Sequence, residues 1–284
     1  MPGPSPTADF ATLLRLLDDE TPEVRQSVAT ALGSFDGDVS ELIGEIEGPL
    51  RADHLHLLSD LLRPARRARL RREWIIPGQG LACLHEDWDH SESMLRVISD
   101  FLHDGVTLRQ PLVDALDLLA EESEPAFLRG GAVGLLQHLL AGGTLRCDSI
   151  DELQPAHLDL AAAASGHPSN AVGCGAVTLL VARRLGAAIS GINLPATLLL
   201  VCEDAQGGTV HDPASHGREI DREDLLHRIS RHPDEVRIRC GRPISPGELL
   251  LRVVEELALC YSALEQDEDA DLFDQLVASF STTV

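Results

Sequence analysis

Three side chains between Gly166 and Gly217 are of the types that a cysteine acyltransferase or protease uses. Cys174 offers a thiol nucleophile, His211 an imidazole base, and Asp212 a carboxylate that orients a base. His211 and Asp212 are adjacent, so a strand sends their side chains to opposite faces. Both therefore line one site only if the chain bends between them.

A purely structural interpretation of the same three residues is simpler, and we favour it. Cys174 packs as a small apolar side chain, His211 lies exposed or at a sheet edge, and Asp212 closes a turn through its carboxylate. Short motifs of this kind are frequent by chance. The sequence therefore names Cys174, His211 and Asp212 as candidates without assigning them a catalytic role.

Other motifs are incomplete. His85 and His90 are five residues apart, whereas the helical zinc pattern needs histidines four apart, so we expect no metal site. The Gly78-Gln79-Gly80 segment lacks the third glycine of a dinucleotide loop, and the chain has no phosphate-binding GxxxxGK[ST] motif. We expect no cofactor.

The elements that position the three candidates are predicted from periodicity. Ala171–Leu185 is apolar nearly all round, which predicts a buried helix that ends at Gly186. Pro195 separates two strand-like segments, Gln206-Gly207-Gly208 is typical of a hairpin turn, and Asp221 is placed to cap a helix. The predicted strands are Ala188–Asn193, Thr197–Cys202, Thr209–His211 and Val236–Arg239.

Helices are predicted on both sides of this region. Two short helices, Asp9–Asp19 and Thr21–Gly33, resemble one HEAT-type hairpin without a second copy. Helices continue through 39–73, and three more follow up to Leu140, the third starting at Pro125. At the other end, a capping box over 245–248 opens a long helix, and a second helix folds back on it. The fold class expected is α+β, mostly helical.

Composition narrows the classes of function. The chain of 284 residues has 46 acidic and 23 basic residues, so its net charge of −23 opposes binding to nucleic acid or anionic lipid. Six arginines between Arg63 and Arg72 are best interpreted as a solvated helix face balanced by acids. Six scattered cysteines without a CxxC pair, and no visible secretory signal or membrane-spanning run, predict a reduced cytoplasmic protein.

Three stretches carry a resemblance to a known family. They are AVTLLVARRLGAAISGINLPATLLLV (176–201), TVHDPASHGREIDREDLLHRI (209–229) and ISPGELLLRVVEELALCYSAL (244–264). Their order and spacing resemble the SirB-type family of bacterial transglutaminase-like proteins, with good coverage from about His157 onward. The proline-rich start predicts a disordered arm (1–7), and the helical pattern after it predicts a HEAT-like domain (8–145). The resemblance implies a transglutaminase-like core (146–242) and a tetratricopeptide-like helical hairpin (243–284).

The resemblance also shows a departure at the site. A transglutaminase-like site uses a cysteine at a helix N-terminus, a strand histidine and an aspartate. Asp212 matches the aspartate, but Thr197 stands where many members have the histidine, and threonine is not a general base near neutral pH. Cys174 falls later in its helix than the family nucleophile, whose place is nearer Gly173 or an earlier residue.

Three functions remain open from the sequence. The favoured one is a non-catalytic transglutaminase-like protein that acts as an interaction or regulatory module with a protein partner. The second is a cysteine-dependent acyltransferase or protease using Cys174 with His211 and Asp212. The third is a pure HEAT-like scaffold, which predicts an all-helical chain.

Overall fold

The computed structural model describes residues 6–19, 21–46, 48–148, 154–195, 197–203 and 208–281, without the side chains of 6–8 and 239. The chain divides into two units. The first comprises Met1–Ile75 with Asp100–Arg109, and the second comprises Ile76–Ser99 with Gln110–Val284.

The first unit is helical. Its helices are α1 (Pro6–Arg15), α2 (Pro22–Leu32), α3 (Ser40–Gly44) and α4 (Ala52–Glu73). Thr21 precedes α2 without a capping side-chain hydrogen bond, and Pro22 takes the first helical position, where a proline nitrogen needs no hydrogen-bond partner. Fully buried side chains from three of these helices, Phe10, Leu32, Leu58 and Leu62, form the centre of the unit.

The arginine-rich run lies on α4, and acids balance part of it as expected. Arg69 pairs with Glu73 and with Asp100. Arg66 differs from the prediction of a solvated face because it is buried. Its guanidinium donates to the Asp104 carbonyl at 2.7 Å, so this arginine holds a loop to the helix.

The second unit contains most of the long helix α5 (Trp88–Leu102), up to Ser99, and the whole of α6 (Leu112–Leu136). The prediction that Pro125 starts a new helix is wrong, because Pro125 lies inside α6. The backbone instead leaves helical geometry at Gly131, where φ is 60°. Proline fixes φ near its helical value, whereas glycine reaches positive φ at little cost, so the glycine makes the break.

Helix α8 is the centre of this unit. The chain reaches it through strand β1 (Arg146–Cys147), helix α7 (Leu160–Ala164) and strand β2 (Pro168–Ser169), and α8 itself spans Ala171–Leu185. Its residues from Val172 to Ala182 are all buried. Asn170 caps its start by accepting from the Gly173 N–H at 2.8 Å, and Gly186 ends it in the left-handed conformation.

A four-stranded antiparallel sheet packs on α8. Its strands, in the order β3-β4-β5-β6, are β3 (Ile189–Leu194), β4 (Thr197–Cys202), β5 (Thr209–Asp212) and β6 (Arg218–Ile220). A Cβ on Gly175 of α8 would lie 2.8 Å from the Leu198 side chain, so glycine allows the close approach of helix and strand. The sheet also excludes the all-helical scaffold interpretation.

The opposite face of the sheet is covered by α9 (Arg222–Ser230) and α10 (Asp234–Cys240). Asp221 caps α9 by accepting from the Asp224 N–H at 2.9 Å, as predicted. The predicted strand over 236–239 is wrong, since it forms part of α10. Asp234 and Glu235 occupy the first turn of that helix, where negative charge is favourable.

The described chain ends with the helical hairpin α11 (Pro246–Ala263) and α12 (Asp267–Ala278). Ser245 and Glu248 form the predicted capping box. Tyr261 and Phe273 stack between the two helices, with ring centroids 5.4 Å apart. The observed fold is α+β and mostly helical, as the sequence predicts.

Two sequence predictions fall partly outside the described residues. The predicted hairpin turn includes 206–207 and the predicted arm includes 1–5, both of which lie outside; α1 begins at Pro6. Strands β1, β2 and β6 were not predicted, because two or three residues are too few to show alternation.

Candidate functional site

Thr197, which the sequence resemblance aligns with a histidine, begins β4. Strand alternation and the pairing of Val201 with Val210 put Thr197 and Asp212 on the same face of the sheet, towards α9 and α10. The Thr197 hydroxyl is buried and has no hydrogen-bond partner among the described residues. The two positions that the resemblance aligns with a histidine and an aspartate therefore share a face.

His211 lies on the other face, towards α8. It pairs with Leu200, which is on the same face as Leu198, the residue that contacts Gly175. The imidazole is buried, contrary to the expectation of an exposed or edge position. Its Nδ1 donates to the Gly217 carbonyl at 2.9 Å, and its Nε2 lies 2.9 Å from the Thr209 hydroxyl. Both nitrogens are thus engaged within the fold.

Asp212 is also buried, and its two oxygens have separate partners. Oδ1 accepts from the Ala214 N–H at 3.0 Å, which starts the short 3₁₀ helix Pro213–Ser215. Oδ2 accepts from Arg228 of α9 at 3.0 Å. The carboxylate therefore closes a turn and ties β5 to α9.

Cys174 lies in the first turns of α8 and is fully buried. Its backbone N–H donates to the Asn170 carbonyl, so the residue follows the helix start rather than opening it. A hydrogen bond to the Cys147 thiol, together with burial, raises the pKa of Cys174 well above its usual range. The thiol is therefore protonated at neutral pH, which removes the usual activation of a cysteine nucleophile.

A second buried thiol, Cys147, affects the pKa of Cys174, and sequence reasoning missed this coupling. Cys147 pairs with Ser169 in the β1–β2 ladder, so the two side chains are on one face. The Ser169 hydroxyl occupies the space that a Cβ on Gly173 would fill. We call Cys147, Ser169 and Cys174 the thiol cluster. In the sequence, the only sign of this cluster is Cys147 itself. Its strand has two residues, which are too few to show the alternation that identifies a strand.

The thiol cluster has its own hydrogen bonds. Ser169 donates to the His157 carbonyl at 2.7 Å. The hydrogen bond from the Cys174 thiol lowers the pKa of Cys147, and this effect outweighs burial and the nearby carboxylates of Asp212 and Asp148. Of the two thiols, Cys147 is the one that more readily becomes a thiolate.

The segment Ala182–Gly186, which has the sequence Ala-Arg-Arg-Leu-Gly, ends α8 and has a structural role. Arg184 donates to Glu92 of α5 at 2.6 and 3.0 Å and to Asp117 of α6 at 2.6 Å. Arg183 pairs with Asp89 at 2.7 Å. These contacts fix the C-terminal end of the central helix to the two long helices of the same unit.

A cleft of about 430 Å³ lies along the outer edge of β3, which is the edge strand of the sheet. Most of its lining is apolar, and its polar wall includes Arg242, which is held by a bidentate ion pair with Glu248 at 2.5 and 2.9 Å. Apolar residues of the lining include Trp88, Leu179, Ile189, Ile244 and Pro246.

Neither a metal site nor a membrane-spanning helix emerges from the described ranges. No three histidine, cysteine, aspartate or glutamate side chains among them cluster in a way that could hold a metal ion. Within the same residues, every helix is either too short or too polar to cross a membrane.

Comparison with known families agrees with this core. The sequence matches the transglutaminase-like superfamily over residues 111–255, which is just over half of the chain and runs from the start of α6 into α11. The chain therefore belongs to the transglutaminase-like superfamily. Neither the curated proteins nor the solved structures give a significant match.

Proposed function

We propose that this chain is a non-catalytic member of its superfamily, of the SirB type, which acts in the cytoplasm as a protein-interaction or regulatory module. One observation carries the proposal: the three candidate catalytic side chains have separate structural partners. His211 is held by Gly217 and Thr209 on one face of the sheet, and Asp212 by Arg228 on the other. A histidine that is bonded at both nitrogens is not free to activate a thiol.

The position of Thr197 supports the same proposal. Thr197 and Asp212 lie on the same face of the sheet, as a catalytic histidine and its aspartate would. Threonine, however, cannot act as a general base. The start of α8, where the family nucleophile belongs, is formed by Asn170, Ala171 and Val172, and none of these is a thiol. The alternative, acyl transfer by Cys174 with His211 and Asp212, requires His211 to exchange its partners and Cys174 to lose its proton.

Thiol labelling of the native full chain distinguishes the two proposals. Iodoacetamide is added at neutral pH, and labelling of each cysteine is followed by mass spectrometry. The non-catalytic proposal predicts that exposed Cys83 reacts first and Cys174 stays unlabelled until the protein unfolds. Selective labelling of Cys174, lost in Cys174→Ser and kept in the control Cys83→Ser, would instead establish the enzyme.

For the interaction role, we propose that the cleft beside β3 binds an extended segment of a protein partner. An extended peptide can place apolar side chains in such a cleft; the contact is through side chains, because the Gly191 carbonyl of β3 already accepts from the Ile244 N–H at 2.8 Å. Ser190 lies in the cleft lining, on the section of β3 between Ile189 and Gly191. The helical hairpin α11–α12 flanks the same cleft through Ser245 and Pro246.

A pair of matched variants tests this surface. Ser190→Arg places a bulky charge in the cleft, whereas Arg222→Ala changes an exposed residue of α9 outside it. Cross-linking of the tagged full chain in native lysate should yield a partner whose cross-links map to the cleft and disappear in Ser190→Arg only. Cross-links that persist unchanged in Ser190→Arg, or that map elsewhere, contradict the proposed surface.

A further inference from the structure

One wall of the cleft beside β3 is acidic. The start of α5 and the residues just before it carry three acids, Glu86, Asp87 and Asp89. Asp87 is engaged by the helix, because its Oδ1 accepts from the His90 N–H at 2.9 Å, and Asp89 pairs with Arg183 at 2.7 Å. The carboxylate of Glu86 has no such partner among the described residues, and Glu86 is the one of the three that lines the cleft.

The remaining charge in the lining is already balanced. Arg242 is held by both carboxylate oxygens of Glu248, so its charge is neutralised within the protein. With histidine counted as neutral, Glu86 is the unbalanced charge of the cleft lining. The net charge of −23 adds a field that attracts cations and repels anions. Charge complementarity therefore favours a basic occupant over a neutral or an acidic one.

An aromatic ring shares the same wall. Trp88 is half-buried in the cleft lining, and its backbone N–H donates to the Glu86 carbonyl at 3.1 Å, so one tight turn holds both residues. The face of an indole attracts cations. A guanidinium group is suited to such a wall, because it is planar enough to stack on a ring and its N–H groups match a carboxylate. Ile189 and Ile244 supply apolar surface in the same lining.

We propose that the partner segment that enters this cleft carries an arginine between apolar residues. The guanidinium pairs with Glu86 and stacks on Trp88, and the apolar neighbours of the arginine pack against Ile189 and Ile244. This inference rests on the proposed function, since it names the chemistry of the segment that the same cleft binds. Because Glu86 is exposed, its pairing contributes more to the choice of partner than to the affinity.

Tryptophan fluorescence of the full chain tests the proposal. The chain has two tryptophans, so Trp74→Phe leaves Trp88 as the only one and as a reporter in the cleft. The probes are three capped peptides, Ala-Val-Xaa-Val-Ala, with arginine, citrulline or glutamate at the centre. Citrulline is the matched control, because it keeps the shape of arginine without the charge. Low ionic strength is used, since salt screens exposed ion pairs. Calorimetric titration of the unmodified chain gives the affinities without any variant.

We expect the arginine peptide to bind about fivefold more tightly than the citrulline peptide, and the glutamate peptide to bind most weakly. Glu86→Gln should remove most of the preference for arginine and leave the affinity for the citrulline peptide unchanged. Glu121→Gln is the matched control, because it neutralises an exposed acid of α6 outside the cleft lining, and it should keep the preference.

Two results would overturn the proposal, and they bear differently on the proposed function. Equal binding of the arginine and citrulline peptides would remove the basic segment and leave the cleft as a peptide site. A lack of binding by all three peptides would also overturn the inference, and cross-linking of Ser190→Arg would then decide independently whether the cleft is the partner surface.

Discussion

His211 and Asp212 are neighbours in the chain but are bound on opposite faces of the sheet. The His211 ring bonds to the Gly217 carbonyl on the α8 side, and the Asp212 carboxylate bonds to Arg228 of α9 on the other. Alternation along β5 makes this separation unavoidable while the strand stays regular. The adjacent pair therefore ties β5 to the turn before β6 on one face and to α9 on the other.

Removal of Arg228 should leave the buried Asp212 carboxylate short of a partner. Arg228→Ala should lower the free energy of unfolding by about 1–2 kcal/mol, a moderate loss because the Arg228 side chain is 43% exposed. Urea denaturation measures it. In a background of Asp212→Asn, which removes the charge, the effect of Arg228→Ala should shrink; an undiminished effect would show that Arg228 acts through other contacts.

The unpaired hydroxyl of Thr197 should cost stability. Thr197→Val keeps the shape and removes the buried polar atom, so we expect it to raise the free energy of unfolding by about 1 kcal/mol. Thr197→Ser is the matched control; it keeps the hydroxyl, deletes a methyl group, and should destabilise by about 1 kcal/mol. A loss of stability in Thr197→Val, measured by urea denaturation, would mean that the hydroxyl has a stabilising role.

Long patterns predicted the fold well. The apolar run of α8, its end at Gly186, the strand Thr197–Cys202 and the Ser245 capping box all stand where the sequence puts them. Each rests on local chemistry: periodic burial, a glycine at positive φ, or a side chain bonded three residues away. Two errors have local causes as well. Four residues near Val236 are too few to separate strand from helix, and the φ of proline is compatible with a helix, so Pro125 alone does not mark a helix start.

The site was harder to predict because its contacts are distant in sequence. Because His211 and Asp212 are adjacent in a strand, the sequence correctly predicts that their side chains face opposite sides of the sheet. The burial of His211 was not predicted, because it depends on Gly217, which the turn after β5 brings back to the strand. The pairing of Cys147 with Ser169 depends on the two-residue ladder of β1 and β2. Tertiary packing, rather than any local preference, brings these side chains together.

The close approach of α8 to β4 should make Gly175 intolerant of a side chain. Alanine is favoured over glycine in a helix by about 1 kcal/mol, but its Cβ at position 175 would lie 2.8 Å from Leu198. Because that contact is between buried groups, overpacking should dominate, and Gly175→Ala should destabilise the protein by about 1–3 kcal/mol.

Gly130→Ala provides the matched control for this steric argument. Gly130 lies in α6, and no atom lies within 4 Å of its added Cβ, so this variant should gain up to about 1 kcal/mol from the reduced entropy of the unfolded chain. Urea denaturation of both variants measures the difference. Gly175→Ala with unchanged or higher stability would contradict the packing of α8 on Leu198, whereas recovery of stability in the double variant Gly175→Ala with Leu198→Val would support it, because the shorter side chain vacates the space.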